Sequence, residues 1–237
     1  MQPRRQFIVS LATGGAIVLA TGLPPFGPAF AIAKENAEVS SNEDLMREHG
    51  VLRRALLVYM LSAAKIRKDP GSVPPDALKK TAMLFRQFGE DYHERKLEEP
   101  FIFPAVRQND PALLSLVDIL LAQHQRGREI TDYILAESSG QRIPAGDEFP
   151  AALDSFALMY QQHTAREDTV IFPAWHKNIG EEQYKEMGEK FEEIERQQFG
   201  HDGFDDAVKQ IAAIESQLGL ADLAQFTAPP PPKVKAL

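Results

Sequence analysis

The amino-acid sequence predicts an all-α protein, an antiparallel up-down-up-down four-helix bundle with two additional C-terminal helices. Several segments repeat apolar residues at three- and four-residue spacing, and none alternates with period two for long, which is typical of amphipathic helices. Four of these segments are long, and short clusters rich in proline and glycine separate them. Long helices with short connections pack as antiparallel neighbours, so a bundle is the expected arrangement.

Turn signals set the limits of each predicted helix. Ser41 or Asn42 is a plausible N-cap for the first helix, and "DPGSVPP" ends it. "NDP" ends the second helix and starts the third, because proline suits a first helical turn. "SSGQRIPAG" precedes the fourth, and prolines inside "FIFPAV" and "VIFPAW" should kink the second and fourth helices or end them early. The six predicted helices cover residues 42–68, 76–108, 111–137, 147–177, 181–198 and 202–218.

The N-terminal residues have the composition of an export signal. A basic start with Arg4 and Arg5 precedes an apolar stretch containing glycine, and "AFA" ends at Ala31. "RRQFI" resembles a twin-arginine signal, which implies passage through the twin-arginine export machinery as a folded protein, cleavage near Ala31 and a periplasmic location without a lasting membrane anchor. An uncleaved transmembrane anchor is the alternative. The predicted organisation is a signal at 1–31, a linker at 32–41, the bundle at 42–178, a helical extension at 179–220 and a proline-rich tail at 221–237.

Composition excludes several classes of function. The formal net charge is −8 and no long basic run exists, which argues against nucleic acid as a partner. The chain has no cysteine, so disulfides, thiolate metal sites and thiol redox chemistry are all excluded. Any metal must therefore be bound through nitrogen and oxygen.

One histidine lies in each of the four long predicted helices, at similar distances from the connecting turns. With a rise of about 1.5 Å per residue, an up-down-up-down bundle brings all four to one height within roughly 5 Å. His49, His124 and His163 also continue the apolar stripes of their helices, so we expect the four imidazoles to converge inside the bundle. Burying four imidazoles without strong partners costs several kcal/mol, which indicates a shared ligand. These histidines are His49, His93, His124 and His163.

Two related segments add carboxylates to this cluster. "HTAREDTVIFPAW" places Glu167 four residues after His163, on one helix face. "HERKLEEPFIFPAV" places Glu98 five residues after His93, about 140° away on an ideal α-helix. A single π-bulge would restore the shared face; alternatively Glu94 serves as an additional ligand. Imidazole and carboxylate without sulfur suit iron or manganese and, less specifically, zinc, and two carboxylates can bridge two metals.

This set of motifs resembles the hemerythrin family, the cation-binding HHE domains. The resemblance spans residues 42–177 and rests on "REHGVL", "DYHERKLEEPFIFPAV", "LLAQHQRGREI" and "HTAREDTVIFPAW". It implies two non-haem irons with an Fe–O–Fe bridge, and dioxygen, nitric oxide or peroxide as partner. Two features depart from the oxygen carriers of animals: Arg128 stands where they have a second third-helix histidine, and one extra residue separates His93 from Glu98.

Three functions remain open from the sequence: a binding protein for small oxidants, a diiron oxidoreductase for peroxide or nitric oxide, and an iron-storage or metal-stabilised structural protein. Catalytic residues are unknown. A ferritin-like site needs Glu-x-x-His twice, and only Glu90 to His93 provides it. His176 and His201 are predicted to be surface residues. Residues that could hydrogen-bond the ligands or simply fill the core are Tyr92, Arg128, Tyr133 and Tyr160.

Overall fold

The computed structural model describes residues 39–232, and in this part of the chain the regular structure is entirely helical. The predicted export signal, most of the linker and the last five residues of the tail lie outside the described residues. No helix within residues 39–232 combines the length and the apolar character needed to cross a membrane.

Six helices make up the described part of the chain, as the sequence predicts. Short 3₁₀ turns at Pro70–Ser72 and Pro111–Leu113 occupy the predicted breaks, and Asp69 and Asp110 cap them by accepting backbone N–H donors. The helices are α1 (Ser41–Lys68), α2 (residues 75–109), α3 (Leu114–Glu137), α4 (residues 148–179), α5 (Glu181–Phe199) and α6 (Gly203–Gln217).

Helices α2 and α4 each contain a π-helical segment. In α2 it spans Phe85–Ile102, between α-helical Pro75–Leu84 and Phe103–Asn109. The sequence predicted a single π-bulge at this point, and the structure contains 18 π-helical residues instead. Because π-helices bond residue i to i+5, residues five apart share a face.

The π segment of α4 is shorter and was not predicted. It covers Glu167–Ile171, between Glu148–Arg166 and Phe172–Ile179. Each π segment ends with the same bond across five residues: Phe172 N–H donates to the Glu167 carbonyl, just as Phe103 N–H donates to the Glu98 carbonyl.

The prolines of the two repeated segments do not end their helices. Pro104 and Pro173 lie in the first turn of the α-helical segments that follow the π segments, and the helices run on to Asn109 and Ile179. Proline lacks the N–H that an α-helix needs and crowds the carbonyl four residues earlier. In each helix the π-helical segment therefore changes to an α-helix just before the proline, and the helix continues where the sequence predicted a kink or an early end.

Helices α1 to α4 enclose one apolar core, and α5 and α6 pack against its outside. Trp175 of α4 is buried and stacks on Phe191 of α5, with ring centroids 5.6 Å apart. Arg54 of α1 forms an ion pair with Glu215 of α6. The C-terminal helices thus extend the core of the bundle outward.

Candidate metal centre

The bundle brings six predicted ligand side chains together in its interior. They come from all four helices of the bundle, and each is at most 2% exposed. The set comprises His49 of α1, His93 and Glu98 of α2, His124 of α3, and His163 and Glu167 of α4.

The two histidine–glutamate pairs reach a shared face by different helix geometry. On α4, His163 lies one ordinary α-helical turn before Glu167, and His163 Nε2 is 2.9 Å from Glu167 Oε1. On α2, the π-helix brings Glu98 round to the face of His93, so that His93 Nε2 is 3.3 Å from Glu98 Oε1. The extra residue in the first repeat is accommodated by this wider turn.

Each carboxylate faces imidazoles on both sides. Glu98 presents Oε1 to His93 and Oε2 to His124, both at 3.3 Å. Glu167 presents Oε1 to His163 at 2.9 Å and Oε2 to His49 at 3.6 Å. The six residues therefore divide into two half-sites that share both carboxylates: one half-site contains His49 and His93, and the other contains His124 and His163.

The unsatisfied atoms of this cluster fit a pair of cations. All four carboxylate oxygens of Glu98 and Glu167 are buried without a hydrogen-bond partner, and so is His93 Nε2. His124 Nε2 and His163 Nε2 point at each other at 3.0 Å. A buried carboxylate without a donor is costly, whereas a metal ion would satisfy these oxygens and nitrogens together. The donor set consists of imidazole and carboxylate without sulfur, which suits iron or manganese.

Every imidazole is oriented by an acceptor on its other nitrogen. An acceptor at Nδ1 holds the proton there and leaves the Nε2 lone pair free for a metal. Each acceptor lies on the helix before that of its histidine, with α4 counted as the helix before α1. Each acceptor is also the immediate sequence neighbour of one of the six ligand residues. The pairs are Asp168 with His49 at 2.7 Å, Glu48 with His93 at 2.6 Å, Glu99 with His124 at 3.0 Å and Gln123 with His163 at 3.0 Å.

Buried polar side chains of α2, α3 and α4 hydrogen-bond one another beside the His124/His163 half-site. We call this set, which consists of Tyr160, Glu94, Arg128, Thr131 and Glu90, the polar ladder. Glu94 accepts hydrogen bonds from Tyr160 at 2.7 Å and from Arg128 at 3.0 Å, and Arg128 also donates to Glu99 at 2.7 Å. The carboxylate of Glu94 is 3.9 Å from the outer nitrogen of His124, and with Glu99 and His124 it forms a group that could hold a metal ion, so its ligand role stays a prediction.

The ladder ends at Glu90, four residues before Glu94 in the π-helical segment of α2. Thr131 donates to Glu90 at 2.5 Å, and Arg86 Nε lies 3.0 Å from its other oxygen. Burial, opposed by the hydrogen bond from Thr131, raises the pKa of Glu90 to about 7. Glu90 therefore pairs with α3 and not with His93, so the ferritin-like Glu-x-x-His pair does not form a ligand pair here.

The remaining predicted residues fall in three groups. Tyr92 donates to Glu48 at 3.1 Å, and Glu48 in turn orients His93. Tyr133 is 37% exposed and lies against Phe149, away from the cluster. His176 and His201 pair with Glu181 and Asp206 at the surface, as predicted.

Electrostatics also favour cations in this cluster. Burial and the neighbouring charge of Glu98 raise the pKa of Glu167 well above its ordinary value. Burial and the neighbouring His124 hold the pKa of His163 well below its ordinary value. Glu167 and His163 thus resist ionisation. Burial opposes the ionisation of Glu98 as well, but His93 and His124 outweigh it and hold the pKa of Glu98 well below its ordinary value. Positive ions between these residues would favour both ionised carboxylates and neutral imidazoles.

Sequence reasoning missed all four Nδ1 acceptors. Asp168, Glu48, Glu99 and Gln123 carry no motif of their own, but each directly follows or precedes a predicted ligand. A polar residue beside each ligand was the available signal. It could not say which imidazole each residue serves, because the partner always lies on another helix.

Comparisons with known proteins agree with this geometry. The model of the hemerythrin HHE cation-binding domain matches residues 40–175. Proteins of Mycobacterium bovis and of two strains of Mycobacterium tuberculosis, each described as uncharacterized, are 38% identical over 227 residues. The match covers 92% of this chain and 88% of each relative. No solved structure matches the chain.

Proposed function

Because this chain belongs to the hemerythrin HHE cation-binding domain family, we propose that it holds two non-haem irons and binds dioxygen, nitric oxide or peroxide between them. The observation that carries this proposal is the pair of buried carboxylates whose four oxygens lack hydrogen-bond partners and face four imidazoles. We further propose that α1 to α4 run up-down-up-down, which brings their ligands to one level.

The residues of the cluster have distinct roles in this proposal. His49 and His93 would hold one iron, His124 and His163 would hold the other, and Glu98 and Glu167 would bridge them. The Nδ1 acceptors fix each imidazole so that its Nε2 points inward. When bound, the two irons supply open positions for a small oxidant and electrons for its reduction.

A second candidate is a diiron oxidoreductase that consumes peroxide or nitric oxide. The observation that favours it is the ladder of Tyr160, Glu94, Arg128 and Glu90 beside the His124/His163 half-site, because turnover of peroxide or nitric oxide consumes protons and the carboxyl groups of this ladder can hold them. A rapid peroxide-decay assay on metal-loaded protein separates turnover from reversible binding. Bound iron with neither reactivity would indicate a metal-stabilised structural protein.

Metal content and an optical spectrum of aerobically purified protein test the site itself. We expect about two irons per chain and a near-ultraviolet absorption from an iron pair. His124→Ala and Glu167→Ala should lose the absorption, because each removes atoms that only a metal would satisfy. A folded wild-type protein that refuses iron would overturn the proposal.

We also propose export to the periplasm by the twin-arginine machinery, on the sequence of residues 1–31 alone. Replacement of Arg4 and Arg5 by lysine should leave the protein uncleaved in the cytoplasm, since such a signal depends on both arginines. Cell fractionation followed by mass measurement checks this, and processing near Ala31 in the double variant would argue against the route.

A further inference from the structure

Tyr160 has a special place beside the metal centre. It lies one helical turn before His163 on α4, it is 1% exposed, and its ring centroid is 5.3 Å from that of His163. Its hydroxyl donates to Glu94 Oε1 at 2.7 Å. The phenol therefore touches a ligand imidazole on one side and a proton acceptor on the other.

The structure makes room for this hydroxyl at Gly127. A Cβ at Gly127 would lie 2.0 Å from Tyr160 Oη, so any side chain there would move the phenol away from Glu94. Glycine inside a helix costs about 1 kcal/mol relative to alanine. Helix α3 thus contains a destabilising residue at the point where the phenol approaches.

The ring of Tyr160 is otherwise enclosed by groups that resist oxidation. Phe85 and Phe156 each have ring centroids 4.8 Å from that of Tyr160. No other described tyrosine has this combination of contacts. Tyr59 is buried, but its hydroxyl has no hydrogen-bond partner, and Tyr92 donates its hydroxyl to Glu48 and packs its ring against Phe88 and Phe199.

We propose that Tyr160 is a one-electron donor to the metal centre, with Glu94 as the acceptor of its proton. The contact with His163 provides the short route for the electron, and the hydrogen bond to Glu94 provides the route for the proton. This inference rests on the proposed diiron function and names hydrogen peroxide as the oxidant.

The step balances for a centre that has one ferrous ion. Reduction of one peroxide molecule to two waters breaks the O–O bond and consumes two electrons and two protons. The ferrous ion gives one electron and Tyr160 gives the other, leaving a neutral tyrosyl radical. The phenolic proton passes to Glu94 Oε1 and stays there, and the two protons that the waters take up come from solvent.

Freeze-quench EPR on the iron-loaded full chain tests this inference. The half-reduced protein is mixed with hydrogen peroxide and frozen, and iron content is measured on the same sample. We expect a free-radical signal whose hyperfine splitting narrows when the tyrosines are ring-deuterated. Tyr160→Phe should lose the signal, whereas the matched control Tyr59→Phe should keep it.

The outcomes separate this inference from the function on which it rests. A wild-type protein without bound iron would overturn the proposed function. A wild-type protein that binds iron and consumes peroxide without a tyrosine-derived signal would overturn only the role of Tyr160, and so would a signal that persists in Tyr160→Phe. If that variant fails to load iron, Glu94→Gln decides: it keeps an acceptor for the hydroxyl but takes no proton, so a surviving signal contradicts the proposal.

Discussion

The two half-sites of the candidate metal centre are built on one repeated plan and differ in their surroundings. In both, the first histidine is followed four residues later by an arginine, and an acidic residue on another helix binds both. The corresponding sets are His49, Arg53 and Asp168 in one half-site and His124, Arg128 and Glu99 in the other. The aromatic contacts also correspond, because Phe172 stacks on His49 and Phe103 stacks on His124, each at 5.4 Å.

Two positions break this correspondence. Glu48 precedes His49 and orients His93, whereas Gln123 precedes His124 and orients His163. Glu94, which follows His93, gives Arg128 a second carboxylate, whereas the residue after His163 is Thr164. A carboxylate at Nδ1 makes an imidazole a stronger ligand than an amide does. The repeat thus supplies two similar sets of ligands. Differences at two single positions give the His124/His163 half-site a neutral Nδ1 acceptor and a buried polar ladder, which the His49/His93 half-site does not have.

Metal removal should have the largest effect, because both half-sites share Glu98 and Glu167. Chelation should lower the unfolding free energy by at least about 4 kcal/mol and the melting temperature by about 10 °C. Calorimetry with and without chelator measures this. Glu167→Ala serves as control, since its melting temperature should not respond; an unchanged wild-type value would contradict a metal shared by both halves.

Glu90→Gln tests the ladder that only the His124/His163 half-site has. The pKa of Glu90 is raised from 4.5 to about 7, so the folded protein keeps a proton there that the unfolded chain releases. The unfolding free energy should therefore fall as pH rises from 4.5 to 7, by up to about 3 kcal/mol.

Denaturant unfolding of the metal-loaded protein across this range provides the measurement. The variant should match wild type at the acidic end and exceed it above pH 7. Parallel curves for the two proteins would show that Glu90 ionises normally.

Asp168→Asn and Glu99→Gln are a matched pair, one for each half-site. Each replaces the carboxylate that orients the first histidine of its half-site, and each should weaken metal binding by about 10- to 100-fold. Competition with a coloured chelator gives the affinities. A loss in only one of the two variants would show that the correspondence is geometric and does not extend to the energies.

Exchanging the acceptors Glu48 and Gln123 should have the smallest effect. Gln123→Glu should strengthen metal binding by His163 by up to about tenfold, and Glu48→Gln should weaken binding by His93 by a similar factor. Stepwise metal titration resolves the two half-sites. If the two changes act in the same direction, the charge at Nδ1 is not what distinguishes the half-sites.

The sequence by itself predicted the helices and the six residues that meet in the interior of the bundle. The bounds of all six helices lie close to those predicted, because apolar periodicity and the proline-containing turns are local signals. His49, His93, His124 and His163 could be placed at one level because a helix has a fixed rise per residue. The matching IFPA segments aligned Glu98 with Glu167 and indicated that α2 needs a wider turn.

Only the tertiary structure decided how that turn is made and how each ligand is held. The π-helix of α2 extends over 18 residues, well beyond the single bulge that the spacing of His93 and Glu98 indicated. Glu48, Glu99, Gln123 and Asp168 serve histidines that are 25 to 119 positions distant in sequence. Helical spacing fixes which residues share a face of one helix, but the contact between a residue and the imidazole of the next helix exists only after the bundle has formed.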